Sequence, residues 1–383
     1  MAAAIVELMS LADARPTRDR VELALRERLL TPCGFASASD GALAIGRRFA
    51  ARMEPERKRL CVSPPAEPTW ELPAFDAFQF PPLASTLRIV TWNVWFDPQH
   101  ANERMALLFA ETLRAAPDVI CLQEVVEELA TSIRQHSALG EAYSISANEI
   151  GAYGCLMLVR HSLSASFREI EFECSNMGRS LLIAELAPSL APSLAPSLAV
   201  ATTHLESLNS PRARAKQLRI ARDALAPYER AILCGDFNFD STQNFGDWRK
   251  IPPRPPRPTR EDDDSDEEEY KGPIRQDAAS MLENRVLAEV LGDDYVDCWP
   301  ALRPGEPGHT FDGASNRHVR DAHECMRYDR VMARGMQPLE ISMLGVAKEQ
   351  QPDALLPSDH YGLCAVVERA RSGGAEGGGG AVR

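Results

Sequence analysis

Apolar residues in the central part of the chain follow two rhythms. Short β-branched or wholly apolar runs read as strands: "LRIVTWN" (87–93), "DVICLQ" (118–123), "GCLMLVR" (154–160), "SLLIAEL" (180–186), "LAVATTH" (198–204), "AILCGD" (231–236), "YDRVMAR" (328–334) and "YGLCAVV" (361–367). Between the first two, "NERMALLFAETLRAA" (102–116) has helical spacing, and "SPRARAKQLRIARDAL" (210–225) reads as a helix with a basic outer face. Strand and helix alternate from residue 87 onward, which predicts an α/β (α+β) domain.

The pattern changes outside that region. Residues 1–82 hold two helix-like stretches, "RVELALRERLL" and "GALAIGRRFAARM", followed by the proline-rich "VSPPAEPTW" and "FQFPPLAS". They read as an N-terminal helical or partly disordered region with a linker. The main domain is expected over 83–371, and the glycine-rich 372–383 reads as a flexible tail. Two insertions interrupt the domain. The fourfold-spaced "APSLAPSLAPSL" (187–198) carries prolines that forbid a continuous ladder and reads as an enlarged hairpin loop. The segment 249–275 couples prolines to "EDDDSDEEE", a solvated acidic run in which Ser265 has the surroundings an acidophilic kinase prefers.

Composition narrows the function classes. With 383 residues and 44% hydrophobic content the chain can bury a large core, and a net charge of −13 argues against indiscriminate nucleic-acid binding while allowing a local basic cleft. Nine cysteines are scattered without a C-x-x-C pair, several inside apolar runs, and read as small core residues of a reducing compartment. No stretch approaches the roughly 18 apolar residues of a membrane span. The N-terminus lacks the basic start of a secretory signal.

Polar residues recur where strands end. Asn93 follows "IVTW", Gln123 and Glu124 follow "VICL", His204 follows "AVATT", Asp236 and Asn238 follow "ILCG", Asp329 lies in "RYDRV", and Asp359 and His360 lie in "PSDHYGL". Singly each has an ordinary use: a turn at Asn93, a helix cap at Glu124, loop amides at Asp236. Jointly they imply one shared site. Oxygen donors of this kind suit a hard cation such as Mg²⁺ or Mn²⁺, and carboxylates, a hard metal and histidine together point to phosphate-ester hydrolysis.

The ordered motifs "TWNVWFD", "CLQEV", "TTHLES", "CGDFN", "RYDRV" and "PSDHYGL", over about residues 85–368, resemble the endonuclease/exonuclease/phosphatase superfamily. Their wording, with "HTFD", is most similar to its tyrosyl-DNA phosphodiesterase 2 branch. The resemblance implies a four-layer α/β/β/α sandwich with the site at one edge. It implies that Glu124, Asn93 and Asp359 surround the divalent metal and that Asp236 orients and deprotonates the attacking water. Asn238, His204 and His360 would act on phosphate, Asp329 would orient His360, and Phe311, Ser207 and Arg327 would contact substrate. The implied partner is DNA with a 5′-linked tyrosyl peptide, the adduct left by topoisomerase 2, acted on in the nucleus and also in the cytoplasm by a monomer. A protein such as ubiquitin would bind the N-terminal region. A phenolate of pKa about 10 needs less protonic help to leave than an alkoxide does.

Two departures bear on substrate rather than on hydrolysis. Relatives carry a basic residue soon after G-D-x-N, where this chain has Phe239 and Asp240, and a tryptophan where it has Phe311. Basic candidates for a strand path are Arg179, Arg212, Arg214, Arg317 and Arg327. The alternatives are another phosphodiesterase of the superfamily (abasic endonuclease, RNA deadenylase, inositol or lipid phosphatase) and a non-catalytic scaffold. The scaffold is disfavoured because Glu124, Asp236, Asp329 and His360 are all present.

Overall fold

The structure is a computed structural model that describes residues 70–75, 86–186, 198–240, 243, 245, 282–348 and 354–369. The helices read at 20–30 and 41–53, the repeat at 187–197, the acidic insertion with Ser265, the glycine-rich tail and Cys33 and Cys61 lie outside the described residues. The seven described cysteines are all free thiols. Among the described residues no helix is long and apolar enough to cross a membrane.

Two six-stranded sheets form the centre. The first contains β1 (Thr86–Asn93), β2 (Val119–Val125), β3 (Tyr143–Ile145), β4 (Gly154–Arg160), β13 (Met336–Leu344) and β14 (Gly362–Arg369), in the order β13-β14-β1-β2-β4-β3. The second contains β5 (Ala165–Glu171), β6 (Ser180–Leu186), β7 (Leu198–His204), β8 (Arg230–Asp236), β9 (Tyr295–Asp297) and β12 (Asp329–Arg334), in the order β5-β6-β7-β8-β12-β9. A short ribbon joins β10 (Phe311–Asp312) to β11 (Cys325–Met326). Leu186 pairs directly with Leu198, so the serine-proline repeat spans a hairpin connection.

Strand parity explains the continuous apolar runs. Ile89, Val119, Cys121, Met157 and Ala365 of the first sheet meet Leu182, Ala184, Val200, Ile232, Cys234 and Val331 of the second in one buried cluster. The alternate residues of β2 and β4, Ile120, Leu122, Leu156 and Leu158, face outward onto α1 (Ala101–Arg114) and α2 (Glu127–Gln135), meeting Met105, Leu108, Phe109, Leu129 and Ile133. On the other side Leu181, Ile183, Ala199, Ala201 and Leu233 meet Leu218, Ala221 and Leu225 of α4 (Pro211–Leu225) and Leu287 and Val290 of α5 (Leu282–Leu291). Both faces of each sheet are therefore covered, which is why these strands lack a polar side. The layers are helix, sheet, sheet, helix. Short α3 (Ser137–Ala142) leads into β3, and α6 (Cys298–Leu302) follows β9.

Residues 70–75, within the stretch read as a linker, dock on this outer layer. Trp70 is buried with Met105 and Phe109, and the Phe75 ring stands 5.9 Å from that of Phe109.

Gly235 sits inside the β8 ladder between Thr203 of β7 and Arg330 of β12. It has φ of +127°, and a Cβ there would fall 2.0 Å from the Thr203 carbonyl oxygen. Its role is to admit a close backbone approach one residue before Asp236. Gly235→Ala should destabilise the protein by about 3 kcal/mol or more, read as a lower urea midpoint at constant slope.

Candidate active site

The parity that buries Ile232 and Cys234 between the sheets carries Asp236 to the open end of that interior. β7 sets His204 directly opposite Asp236, and β12 sets Asp329 opposite it on the other side. In the facing sheet Asn93 lies level with Gln123. Strict alternation would turn Glu124 outward. The β2–β4 register shifts between Leu122 and Val125, and Glu124 adopts φ of +59°. This bulge aims its carboxylate at the same edge, with Oε1 3.1 Å from Asn93 Nδ2 and 4.0 Å from His204 Nε2. Left-handed backbone at a non-glycine residue costs about 1–3 kcal/mol, which the surrounding ladder must hold in place.

Asp236 is the hub. Its Oδ2 accepts from Asn93 Nδ2 at 3.0 Å and faces His204 Nε2 at 3.3 Å and His360 Nε2 at 3.8 Å. Its Oδ1 accepts from the Asn238 backbone N–H at 2.8 Å. Burial would raise this carboxyl, but the facing His204 and His360 rings and the Asn93 and Asn238 donors outweigh it and hold the group below the ordinary value. Asp236 is thus ionised, with one oxygen fixed by a backbone amide and the other facing Asn93, His204 and His360.

The two histidines have opposite characters. The Arg179 guanidinium donates to His204 Nδ1 at 2.8 Å, which leaves the ring proton on Nε2, toward Asp236. Burial, reinforced by Arg179, lowers His204 to about 3, so it is a neutral donor. His360 Nδ1 donates instead to Asp329 Oδ2 at 2.7 Å. Burial opposes its charge, yet Asp329 and Asp236 hold it well above the ordinary histidine value, so it is an imidazolium. One neutral and one cationic donor converge on the same space, an arrangement suited to an anionic phosphoryl group whose charge shifts during reaction.

The residues fit a hard divalent cation. Burial raises Glu124, and burial raises Asp359 to about 7 with the Glu124 charge adding to it. A cation between two such carboxylates would relieve both penalties, and an all-oxygen set suits Mg²⁺ or Mn²⁺. Asn93 was expected among the metal ligands. Here its NH₂ group bridges Glu124 and Asp236 while its carbonyl accepts from Trp95 N–H at 3.0 Å. It therefore orients the two carboxylates.

Other expected residues are distributed as follows. Asn238 has φ of +56° and donates its side-chain NH₂ to the Leu205 carbonyl at 2.9 Å, making the turn that fixes Asp236. The Phe311 ring stands 4.9 Å from that of His360, beside the cluster. Ser207, half-buried, places its hydroxyl 3.1 Å from Met177 Sδ, a neighbour it shares with Arg179. Arg327, expected at the substrate, is committed to the interior. Only 4% exposed, it makes a two-pronged contact with Asp297 at 3.1 and 2.9 Å. Arg214, read on the basic outer face of its helix, is likewise buried and grips Glu283 at 2.6 and 2.9 Å. Asp240 is buried too, accepting from the Gln243 and Arg327 backbone N–H groups.

Further residues support the cluster, and of these only Gln123 was singled out in the sequence. Ser358 donates to the Asn93 carbonyl at 2.7 Å and accepts from His360 N–H at 3.1 Å, so it ties the end of β1 to the loop that enters β14. Thr310 accepts from Asp329 N–H through its hydroxyl and from Tyr361 N–H through its carbonyl. Arg104, fully buried, donates to the carbonyls of Val94, Trp95, Asp97, Gln99 and Pro357, clamping the loops that carry Asn93 and Asp359. Gln123 reaches across the interior to Thr202 at 2.9 Å. Ser358, Thr310 and Gln123 lie in "PSDHYGL", "HTFD" and "CLQEV", whereas Arg104 has no local signal.

Comparison with known proteins agrees with the fold. No curated protein matches the chain in sequence. Among solved structures it is similar to D. rerio TDP2 complexed with a single-strand DNA product, at 21% identity over 74% of this chain and 100% of that one, with a TM-score of 0.55. It is similar to TDP2 from C. elegans at 21% identity over 74% of this chain and 75% of that one, with a TM-score of 0.53. At such identities the likeness concerns the fold. Residues 90–360, well over half of the chain, match the endonuclease/exonuclease/phosphatase family, and the chain belongs to it.

Proposed function

We propose that the protein is a Mg²⁺- or Mn²⁺-dependent phosphodiesterase whose substrate is DNA carrying a 5′-phosphotyrosyl group. The observation that carries this reading is the convergence of Asn93, His204 and His360 on one oxygen of Asp236, beside the buried Glu124. Asp236 orients the attacking water and receives its proton as the new P–O bond forms. His204 and His360 donate to the nonbridging oxygens, and Asp329 keeps the His360 ring aligned and charged. Glu124 and Asp359 would hold the metal, which when bound would supply Lewis-acid chemistry at the phosphoryl group.

The tyrosyl assignment rests on the motif wording, on the similarity to TDP2 structures, and on leaving-group chemistry, since a tyrosine phenolate departs with little protonic assistance. A substrate panel tests it. The protein should release tyrosine from a 5′-phosphotyrosyl oligonucleotide far faster than it cleaves an abasic-site duplex, a poly(A) RNA or an inositol phosphate. A higher rate on any of the last three would replace the tyrosyl reading by that substrate while leaving the hydrolytic one in place.

A further inference from the structure

A second group of unlike donors lies outside the Asp236 cluster, on the β10–β11 ribbon. His309, Asp312 and Cys325, all half-buried, bring an imidazole nitrogen, a carboxylate oxygen and a thiol sulfur within 4.8 Å of one another. The ribbon creates the group. Asp312 and Cys325 are direct partners across its two antiparallel strands, a register that puts paired side chains about 5 Å apart on one face. His309 comes from the stretch leading into β10.

The carboxylate is already oriented. Asp312 accepts from Ala314 N–H at 3.0 Å through Oδ1 and from the Ser315 hydroxyl at 2.6 Å through Oδ2, and Ser315 in turn contacts the Tyr361 hydroxyl at 2.8 Å. The loop beyond is closed tightly on itself. Gly313 N–H donates to the Glu324 carbonyl at 2.9 Å, and a Cβ on Gly313 would fall 1.9 Å from the Asp321 carbonyl oxygen. Ligands steadied by outer hydrogen bonds are typical of metal centres.

We propose that His309, Asp312 and Cys325 form a zinc site separate from the hard-cation site at Glu124, with solvent in the fourth position. Sulfur, nitrogen and oxygen together select Zn²⁺ over Mg²⁺. Tetrahedral zinc with bonds of 2.0–2.3 Å needs donors about 3.3–3.8 Å apart, so side-chain rotation of about 1 Å closes the group. A thiol binds zinc as thiolate, so each zinc that binds displaces the Cys325 proton into solvent. The bound ion staples the ribbon that carries Phe311 to His360, 4.9 Å away ring to ring.

Cobalt reports thiolate ligation directly. The full chain, stripped with chelator and then saturated with Mg²⁺ to fill oxygen sites, is titrated with Co²⁺. One equivalent should give a sulfur-to-cobalt charge-transfer band in the near ultraviolet, together with strong visible absorption of tetrahedral type, both removed by Zn²⁺. Cys325→Ser should lose the charge-transfer band, and His309→Gln, which keeps the thiol, should need about tenfold or more cobalt to reach the same absorption. Absence of the band in the wild type, or a band undiminished in Cys325→Ser, would overturn the proposal and leave the three side chains as a hydrogen-bonded group.

Discussion

Asp236→Asn lowers phosphodiester turnover by about 10²–10⁴-fold and leaves thermal unfolding close to wild type. The asparagine keeps the shape of the side chain and can still accept from the Asn238 backbone N–H, the bond that holds Oδ1 at 2.8 Å. What it loses is the anion facing Asn93, His204 and His360. An amide cannot take a proton from water, and if its NH₂ occupies the Oδ2 position it meets three further donors. Turnover and melting are measured on the same preparation, so a fall in rate is separated from a failure to fold. Asp240→Asn is the informative contrast. Asp240 stands in the same alternation four residues later but is committed to the Gln243 and Arg327 backbones, so its loss should appear in stability before it appears in the chemical step.

Asp297→Ala destabilises the protein by about 3–5 kcal/mol. Its carboxylate binds both prongs of Arg327 and also Arg330 Nη1 at 3.4 Å, and the two guanidinium groups are only 4% and 1% exposed. Burial already lowers Arg330 to about 9, a measure of how strongly that charge resists its surroundings. Removing this shared anion leaves two buried cations with less compensation. Arg330 also covers the Phe239 ring at 4.4 Å and donates to the Phe239 carbonyl at 3.3 Å, while Arg327 N–H holds Asp240. The network therefore steadies the segment that leaves Asp236 and Asn238. Urea unfolding with an unchanged slope checks the magnitude. Arg327→Met, which leaves Asp297 paired with Arg330, should cost less.

Strands covered on both faces announce themselves as unbroken apolar runs, which is why β1, β2, β4, β6, β7, β8, β12 and β14 were legible. The others were hidden by edge exposure or brevity. β5, "ASFREIE", is an edge strand with most of its residues at least partly exposed. β13 carries Pro338 at a register shift, and β9, β10 and β11 have three residues or fewer. The site was legible where chemistry coincides with a strand end, as at Asp236 and His204. Glu124 was recognised by its motif, but the bulge that aims it depends on its pairing with β4, which no local pattern encodes. The arginines were misread for a related reason. Arg214 and Arg327 look solvated in sequence because their partners, Glu283 and Asp297, lie on elements far along the chain.

In the proposed function the carboxylates at the sandwich edge hold a divalent cation for a hydrolysis oriented by Asp236. Metal-stripped protein assayed on a 5′-phosphotyrosyl oligonucleotide tests it most directly. Activity should be absent after chelation, return on adding Mg²⁺ or Mn²⁺, and require a much higher metal concentration in Glu124→Gln. Turnover that survives complete removal of metal, or metal dependence unchanged in Glu124→Gln, would contradict it.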